Sequence, residues 1–233
     1  TKVLVEAKSE NWKELLESNS LGILAGIRNL RNILKNQPDS TVIGKLAALV
    51  SNPILIKQGK IFPYQLDMAN EVMLTEFNDS HSRVISQALA KGYAEAVPNL
   101  AHLLPGRNLV MLDRSGSMGT NIRLGDKVSR TSCIDKASLI CATIAKATNA
   151  NIVSFGSSAK YTSYNPNQDV FSLGKSLAKP NMGGTSLSSA WDLIKRSGKQ
   201  YDRVFILSDN ECNRGSSYSS YMSYVQAAGS PYV

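Results

Sequence analysis

The chain has 233 residues, 42% of them hydrophobic, and a formal net charge of +8. It is long enough for one or two domains with a hydrophobic core, and no apolar stretch approaches the ~20 residues that a membrane span needs. Its three cysteines, Cys133, Cys141 and Cys212, lack Cys-x-x-Cys spacing and no secretory signal pattern is visible; we therefore expect reduced thiols in a cytoplasmic protein without a zinc site.

The first part of the chain shows helical periodicity, and we assign residues 1–104 to a helical domain. A second helix, capped by Ser20, would bury Ile23, Ile27, Leu30 and Leu34 on one face. The other predicted helices are Val3 to Ser18, Thr41 to Val50, Pro63 to Val72, and a fifth helix that Ser80 caps. Their regular spacing is typical of stacked, HEAT-like helical repeats.

A basic stripe accompanies the second predicted helix. Arg28, Arg31 and Lys35 fall together on a face other than the apolar one. Such stripes are ordinarily solvated, and the alternative is contact with a phosphate backbone, which needs cations and no base code. The overall charge does not distinguish between these two interpretations. The chain has twelve Lys and Arg against ten Asp and Glu through Arg107, then fourteen against eight, and this excess suits either RNA or simple solubility.

After a linker over Pro98 to Arg107, strands and helices alternate, which predicts a doubly wound, Rossmann-like α/β domain over residues 105–233. The predicted strands are Leu109 to Leu112, Asn151 to Phe155, Arg203 to Leu207 and a start at Tyr232, with an edge hairpin over Gly156 to Tyr164. The predicted helices are Cys133 to Thr148, Val170 to Leu177, Thr185 to Ser197 and Tyr218 to Ala228.

The first of these strands ends in Asp113-Arg114-Ser115-Gly116-Ser117. In an open α/β sheet the loop at the carboxyl end of a strand is where ligands bind. One carboxylate and two hydroxyls at alternate positions can hold a hard cation, Mg²⁺ or alternatively Mn²⁺, because these ions prefer oxygen ligands. Taken alone, the same residues would equally suit an ordinary helix cap and turn.

Two later stretches favour the metal. Thr185 follows a Gly-Gly pair at the start of a predicted helix, and Asp209 follows the strand Arg203 to Leu207. At this point the sequence resembles a von Willebrand factor A (vWA) domain with its metal-ion-dependent adhesion site, MIDAS. The resemblance implies the ligand set Asp113, Ser115, Ser117, Thr185 and Asp209.

The order of helical repeats and then a vWA domain narrows the family. Leu24 to Leu34, the stretch Ile56 to Tyr64 with its Lys-Ile-Phe-Pro-Tyr end, and Asp209-Asn210-Glu211 are similar to the TROVE module and vWA domain of Ro autoantigen proteins and their bacterial and phage relatives. Relative to that family the chain begins late in the helical module and ends early in the vWA domain, so we expect both parts to be partial.

The Ro resemblance implies a function. In that family helical repeats and the vWA domain form a ring that takes RNA 3′ ends in its hole and small structured non-coding RNAs outside, within a ribonucleoprotein that can tether an exoribonuclease. It implies RNA contacts at Arg28, Arg31 and Lys35, with Lys57 and Lys60 beside a turn near the ring interior. The expected partners are thus RNA and an exoribonuclease or another protein held through the metal, with no small-molecule substrate and no membrane.

Several other residues favour a structural role. His81 and His102 accompany no nucleophile motif, so we expect no enzyme activity. Trp191 lies on an apolar helix face and is assigned to the core. Tyr218, Tyr221 and Tyr224 recur every three residues, which indicates a face packed on the sheet, or exposed rings able to stack on bases. The alternative function is a metal-dependent protein-binding vWA module of the adhesion or chelatase type, without an RNA role.

Overall fold

The structure is a computed structural model that describes residues 9–36, 38–124, 127–179, 181–210 and 215–233. The chain divides into two compact units, Thr1–Asn99 and Leu100–Val233, here called the helical unit and the α/β unit. This division lies five residues before the boundary expected from the sequence. The predicted start of the first helix at Val3, and Glu211 and Cys212 of the later motif, lie outside the described residues.

Six α-helices follow one another in the described part of the helical unit. They are α1 (Ser9–Glu17), α2 (Ile23–Lys35), α3 (Ser40–Val50), α4 (Pro53–Gln58), α5 (Pro63–Glu76) and α6 (Ser80–Ala96). Helix α6 packs against α3, α4 and α5, and α2 packs against α3 and α5. The core therefore forms around α6, where Ile85 and Leu89 are buried together with Leu46 of α3 and Leu66 of α5.

Two predicted helix caps are wrong, and one helix was missed. The N-cap position of α2 is Gly22, which makes no side-chain hydrogen bond to the helix, and α2 begins at Ile23. Asp79, whose carboxylate accepts the Ser82 N–H at 2.7 Å, caps α6 in place of Ser80. Helix α4 begins at Pro53, after an Asn52 cap; proline is well suited to a first helical position, where its missing N–H costs nothing.

The α/β unit has a four-stranded sheet in its described part. Its strands are β1 (Asn108–Asp113), β4 (Asn151–Phe155), β5 (Ala159–Thr162) and β6 (Arg203–Leu207), in the order β5-β4-β1-β6. Strand β1 is parallel to β4 and β6, and β5 is an antiparallel edge strand. A parallel bridge joins Arg203 to Tyr232, where a further strand was predicted to begin.

Helices cover both faces of this sheet. The helices are α7 (Cys133–Thr148), α8 (Val170–Leu177), α9 (Leu187–Ser197) and α10 (Ser217–Ala228). Leu109 and Met111 of β1 join a core with α9 and α10, and the alternation of side chains sends Val110 and Leu112 to the other face, where α7 packs on β1. All six β1 residues are buried; the continuous apolar run predicted this for Leu109 to Leu112, and the structure adds Asn108 and Asp113.

A second, two-stranded sheet was not predicted. Strands β2 (Asn121–Leu124) and β3 (Lys127–Ser132) pair in antiparallel fashion between the β1 loop and α7. Neither strand contains a continuous apolar run, and the alternation of polar and apolar residues in Asn121-Ile122-Arg123-Leu124, which is typical of a half-exposed strand, was overlooked. No helix in the described residues is long and apolar enough to cross a membrane.

Candidate metal site and nucleic-acid interface

Strands β1 and β6 end side by side at one edge of the sheet. Leu112 of β1 is paired with Leu207 of β6, so Asp113 lies level with Ser208. The chain crosses from β4 on one side of β1 to β6 on the other. The loops after β1 and β6 therefore diverge at a topological switch point, where open α/β sheets place their ligands.

The Asp113 carboxylate is fully buried at this edge. Its Oδ1 accepts the Ser115 backbone N–H at 2.8 Å, and its Oδ2 accepts the Ser208 hydroxyl at 2.7 Å. Each carboxylate oxygen has further lone pairs beyond the one engaged. Both hydrogen bonds fix the orientation of the carboxylate and leave it acceptor capacity for a cation.

This buried carboxylate has no cationic partner in the described part of the chain. No Lys, Arg or His nitrogen there lies in ion-pair distance of it. The neighbouring Arg114 is directed elsewhere: its Nε donates to the Lys179 carbonyl at 2.8 Å and its Nη2 to Asn181 Oδ1 at 3.0 Å. A buried charge is costly unless it is paired or binds a metal. The residues thus fit a divalent cation.

Two hydroxyl groups lie next to the carboxylate in the same loop. Ser115 is buried and Ser117 half-buried, with their Oγ atoms 3.1 Å apart. The turn that brings them together continues into a short 3₁₀ helix, Ser117–Gly119. An all-oxygen set of this kind selects Mg²⁺ or Mn²⁺ over zinc.

Backbone hydrogen bonds fasten the Gly183-Gly184-Thr185 segment to the β1 loop. The Gly116 N–H donates to the Gly183 carbonyl at 2.9 Å, and the Met182 N–H donates to the Arg114 carbonyl at 3.0 Å. Thr185, 2% exposed, follows directly and precedes α9. The segment is also held from its other side, because the Ser186 N–H donates to the Gly156 carbonyl at 2.8 Å.

Asp209 is placed at the same edge through its neighbour Ser208. It is half-buried, and Asn210 after it has a left-handed backbone (φ 67°) whose N–H donates to Ser208 Oγ at 3.1 Å. The five predicted metal ligands thus all lie on segments joined at one edge of the sheet. That their oxygens bind one ion stays a prediction.

Sequence reasoning missed two residues of this site. Ser208 donates a hydrogen bond that orients the Asp113 carboxylate, and Arg114 binds Lys179 and Asn181 beside the loop. Ser208 carried a usable signal, since it directly follows a strand predicted to lie in the same parallel sheet. Arg114 carried none, because a charged residue inside a turn is expected to be exposed, and here it is 7% exposed.

The predicted RNA-contacting cations are all exposed on the helical unit, but they do not form one cluster. Arg28, Arg31 and Lys35 lie along α2. Lys57 is near the end of α4, and Lys60 is in the turn after it. The turn adjoins the first residue of α2, because Ile23 Cγ2 lies 3.0 Å from the position of a Cβ at Gly59. Lys35 ends α2 about 18 Å further along its axis.

Arg31 has a partner within the helical unit. Its Nε lies 2.7 Å from the carboxylate of Glu76 at the end of α5. Arg28 and Lys35 form no ion pair within the described residues. Arg28 and Arg31 line a groove of about 380 Å³ between α2 and α5, together with Met68 and Tyr64. The Tyr64 ring is 64% exposed and lies parallel to Phe62, 6.3 Å between centroids.

The aromatic residues of the α/β unit divide between core and surface. Trp191 is 2% exposed and packs against Tyr221 and Tyr224 at 4.9 and 5.7 Å between ring centroids, which confirms its assignment to the core. Tyr224 is buried and Tyr221 half-buried, whereas Tyr218 is 73% exposed. The series is therefore mainly a packed face, with one exposed ring at its start.

Comparisons with known proteins place the fold. The chain is similar to a solved structure described as the Deinococcus radiodurans Ro (RSR) protein, with a TM-score of 0.74 and 20% identical residues over 91% of this chain. The chain spans 45% of the length of that protein. No family model matches the sequence, and no curated protein does. Both units together thus have a Ro-like fold, with a helical part followed by a mixed sheet.

Proposed function

We propose that this chain is a non-catalytic, Ro-like RNA-binding protein, a ribonucleoprotein scaffold that binds small non-coding RNA and single-stranded RNA ends in the cytoplasm. In this proposal the helical unit is part of a TROVE module of HEAT-like repeats, and the α/β unit is a vWA domain with a MIDAS. The observation that carries it is the Ro-like fold over 91% of the chain, in which both units take part. That the bound partner is RNA is inferred from the motif resemblance to Ro proteins.

The α/β unit would hold Mg²⁺, or Mn²⁺, through Asp113, Ser115, Ser117, Thr185 and Asp209. Such an ion supplies an open coordination position for a carboxylate or phosphate oxygen of a partner, such as an exoribonuclease. The chain's own part is to hold the carboxylate in a fixed orientation. Ser208 and the Ser115 N–H do this by donating hydrogen bonds to its two oxygens.

The helical unit offers two features that suit single-stranded RNA. The groove between α2 and α5 places the guanidinium-bearing residues Arg28 and Arg31 beside the exposed Tyr64 ring. Proteins that bind single strands combine cations that follow the backbone with aromatic rings on which bases stack. Glu76 must then share Arg31 with a phosphate, so Arg28 is the stronger candidate for a direct contact.

We expect Arg28→Ala combined with Arg31→Ala to weaken single-stranded RNA binding at least about tenfold at low salt, since hydrogen bonds to charged groups contribute about 1.5–3 kcal/mol each. Each lost phosphate contact should also flatten the plot of log affinity against log salt by ~0.7. Filter binding of an oligouridine across a salt series measures both quantities.

The matched control is Arg83→Ala with Lys91→Ala, which removes two exposed cations from α6 instead. The proposal that RNA binds along α2 fails if both double variants change the RNA affinity and its salt dependence equally, or if neither variant changes them.

The same assay separates the RNA function from the alternative of a metal-dependent protein-binding module. Because Asp113 and Arg28 lie in different units, RNA affinity should persist in EDTA and in Asp113→Ala. Loss of RNA binding on metal removal would contradict this arrangement. Absence of any RNA binding, with Mg²⁺-dependent capture of an acidic protein partner, would favour the protein-binding module.

A further inference from the structure

The positive charge of the chain belongs almost entirely to the α/β unit. Residues 100–233 contain fifteen Lys and Arg against eight Asp and Glu, whereas residues 1–99 contain eleven against ten. The α2 stripe and Lys60 belong to residues 1–99, where acidic residues almost balance the cations, so they do not account for this excess. A nucleic-acid partner would be attracted mainly to the α/β unit, because summed charge determines the long-range field.

Part of this charge surrounds a cavity at the edge of the sheet opposite the metal loop. Here β1 and β4 begin, at Asn108 and Asn151, and α7 and α9 end, at Thr148 and Ser197. The cavity, here called the amino-edge pocket, has a volume of about 450 Å³. That is within the range of about 300–1,000 Å³ typical of small-molecule sites, and it is larger than a simple anion needs.

Two cations and no carboxylate line the amino-edge pocket. Arg107 precedes β1, and Lys199 follows α9 with its ammonium 4.5 Å from the centre of the Tyr161 ring. The carboxylate that faces Arg107 belongs to Asp202, whose Oδ2 lies 3.5 Å from Arg107 Nε and also accepts the Arg107 backbone N–H at 2.6 Å. Lys199 forms no ion pair in the described part of the chain. Its charge is therefore available to an anion.

The remaining polar lining consists of amides and hydroxyls. Asn149, Asn151 and Gln200 line the pocket with Asn108, which is 3% exposed and whose Oδ1 is buried without a donor among the described residues. Asn108 Nδ2 donates to the carbonyl oxygens of Leu104 and Gly106 at 2.8 and 3.2 Å, which fixes the amide and leaves Oδ1 as an unused acceptor.

Tyr201 completes one wall of the pocket. Its hydroxyl donates to Asn151 Oδ1 at 2.9 Å. Burial, and after it the hydrogen bond with the Tyr161 hydroxyl, raises the pKa of Tyr201. This group therefore remains protonated, and the wall presents hydrogen-bonding groups without negative charge.

We propose that the amino-edge pocket binds one nucleotide unit, with the phosphate at Lys199 and Arg107 and the base toward the amides of Asn149 and Gln200. Amide side chains pair with base edges, and Lys and Arg with phosphates. The inference rests on the proposed function for the source of the nucleotide, an RNA strand. It adds a second contact on the α/β unit that is independent of the α2–α5 groove.

The test is calorimetric titration of the full chain with uridine 5′-monophosphate, adenosine 5′-monophosphate, uridine and inorganic phosphate. We expect both nucleotides to bind at least about tenfold more tightly than uridine, which lacks the phosphate, and than phosphate, which lacks the base. Lys199→Gln should weaken nucleotide binding about tenfold, as expected for loss of a hydrogen bond to a charged group. Lys175→Gln, an exposed lysine on α8 outside the pocket, should leave it unchanged.

A second variant, Gln200→Trp, fills the pocket from an exposed position and should abolish nucleotide binding. Equal binding of phosphate and nucleotide, or unchanged nucleotide binding in both pocket variants, would overturn the proposal.

Oligouridine binding by the Arg28→Ala/Arg31→Ala variant distinguishes the pocket from the α2–α5 groove. If the pocket variants bind oligouridine normally and this one does not, the proposed function stands and the pocket inference fails. If mononucleotides bind only through the pocket while oligouridine never binds, the pocket takes free nucleotides and the proposed RNA function fails.

Discussion

Replacing Gly92 by alanine is expected to destabilise the helical unit by about 2 kcal/mol, although alanine is the better helix former. Gly92 lies in the interior of α6, where a Cβ would be 2.3 Å from the Val50 carbonyl oxygen and 3.4 Å from Ile56 Cδ1. The carbonyl is backbone at the end of α3 and cannot rotate away. Separating two packed helices costs up to about 3 kcal/mol, which outweighs the gain of about 1 kcal/mol in helix propensity.

Gly44→Ala is the matched control for this change. Gly44 is an exposed residue in the interior of α3, and a Cβ there would meet no atom within 4 Å. The same substitution should therefore stabilise the unit by about 0.5–1 kcal/mol. Urea denaturation gives both free energies of unfolding, and hydrogen exchange of α3 and α6 peptides assigns them to this unit. A Gly92→Ala variant as stable as Gly44→Ala would show that α3 and α6 are not in close contact.

Asp113→Asn is expected to remove divalent-metal binding and with it the stabilisation that Mg²⁺ gives the wild-type protein. With a metal present at one hundred times its Kd, the wild-type protein should gain about 2.7 kcal/mol, and the variant should gain nothing. In EDTA the variant should be at least as stable as the wild type. The reason is that it removes a buried charge that has no cationic partner in the described part of the chain.

Thermal unfolding with and without Mg²⁺, and Mn²⁺ binding followed by electron paramagnetic resonance, measure the two effects of this substitution. Asp192→Asn, which neutralises an exposed carboxylate on α9, serves as the control and should respond to metal like the wild type. Unchanged Mn²⁺ affinity in Asp113→Asn would remove Asp113 from the metal site. A large loss of stability in EDTA would instead assign the carboxylate a structural role through Ser115 and Ser208.

The elements that bear the candidate metal site were predictable from the sequence. The run from Leu109 to Leu112 is apolar throughout and ends in Asp113, and β6 and its polar end follow the same pattern. Helix α8 and strands β4 and β6 have the predicted bounds, because burial on one side of a helix or both sides of a strand leaves a periodic pattern in the chain itself. The order of the motifs indicated the fold that the Ro structure shares.

Other features depend on residues that are far apart in the sequence. Ser208 reaches Asp113 only because β6 lies beside β1, and Arg31 is paired because α5 ends beside α2. The helix caps at Gly22 and Asp79 are a similar case, because Ser20 and Ser80 nearby were equally acceptable cap residues by the local sequence rule. In each case several neighbouring residues could satisfy the local rule, and packing selected one.

The sequence by itself therefore determined which segments are helices and strands, and which oxygens follow the strands. Only the tertiary structure decided that the segments at Gly116, Gly183 and Gly156 are hydrogen-bonded into one edge, and that Lys199 and Asn108 share a pocket at the other. The physical reason is that periodic burial is a local property of the chain. Strand order and the close approach of loops depend on contacts between residues up to about a hundred positions apart, which no short window of sequence contains.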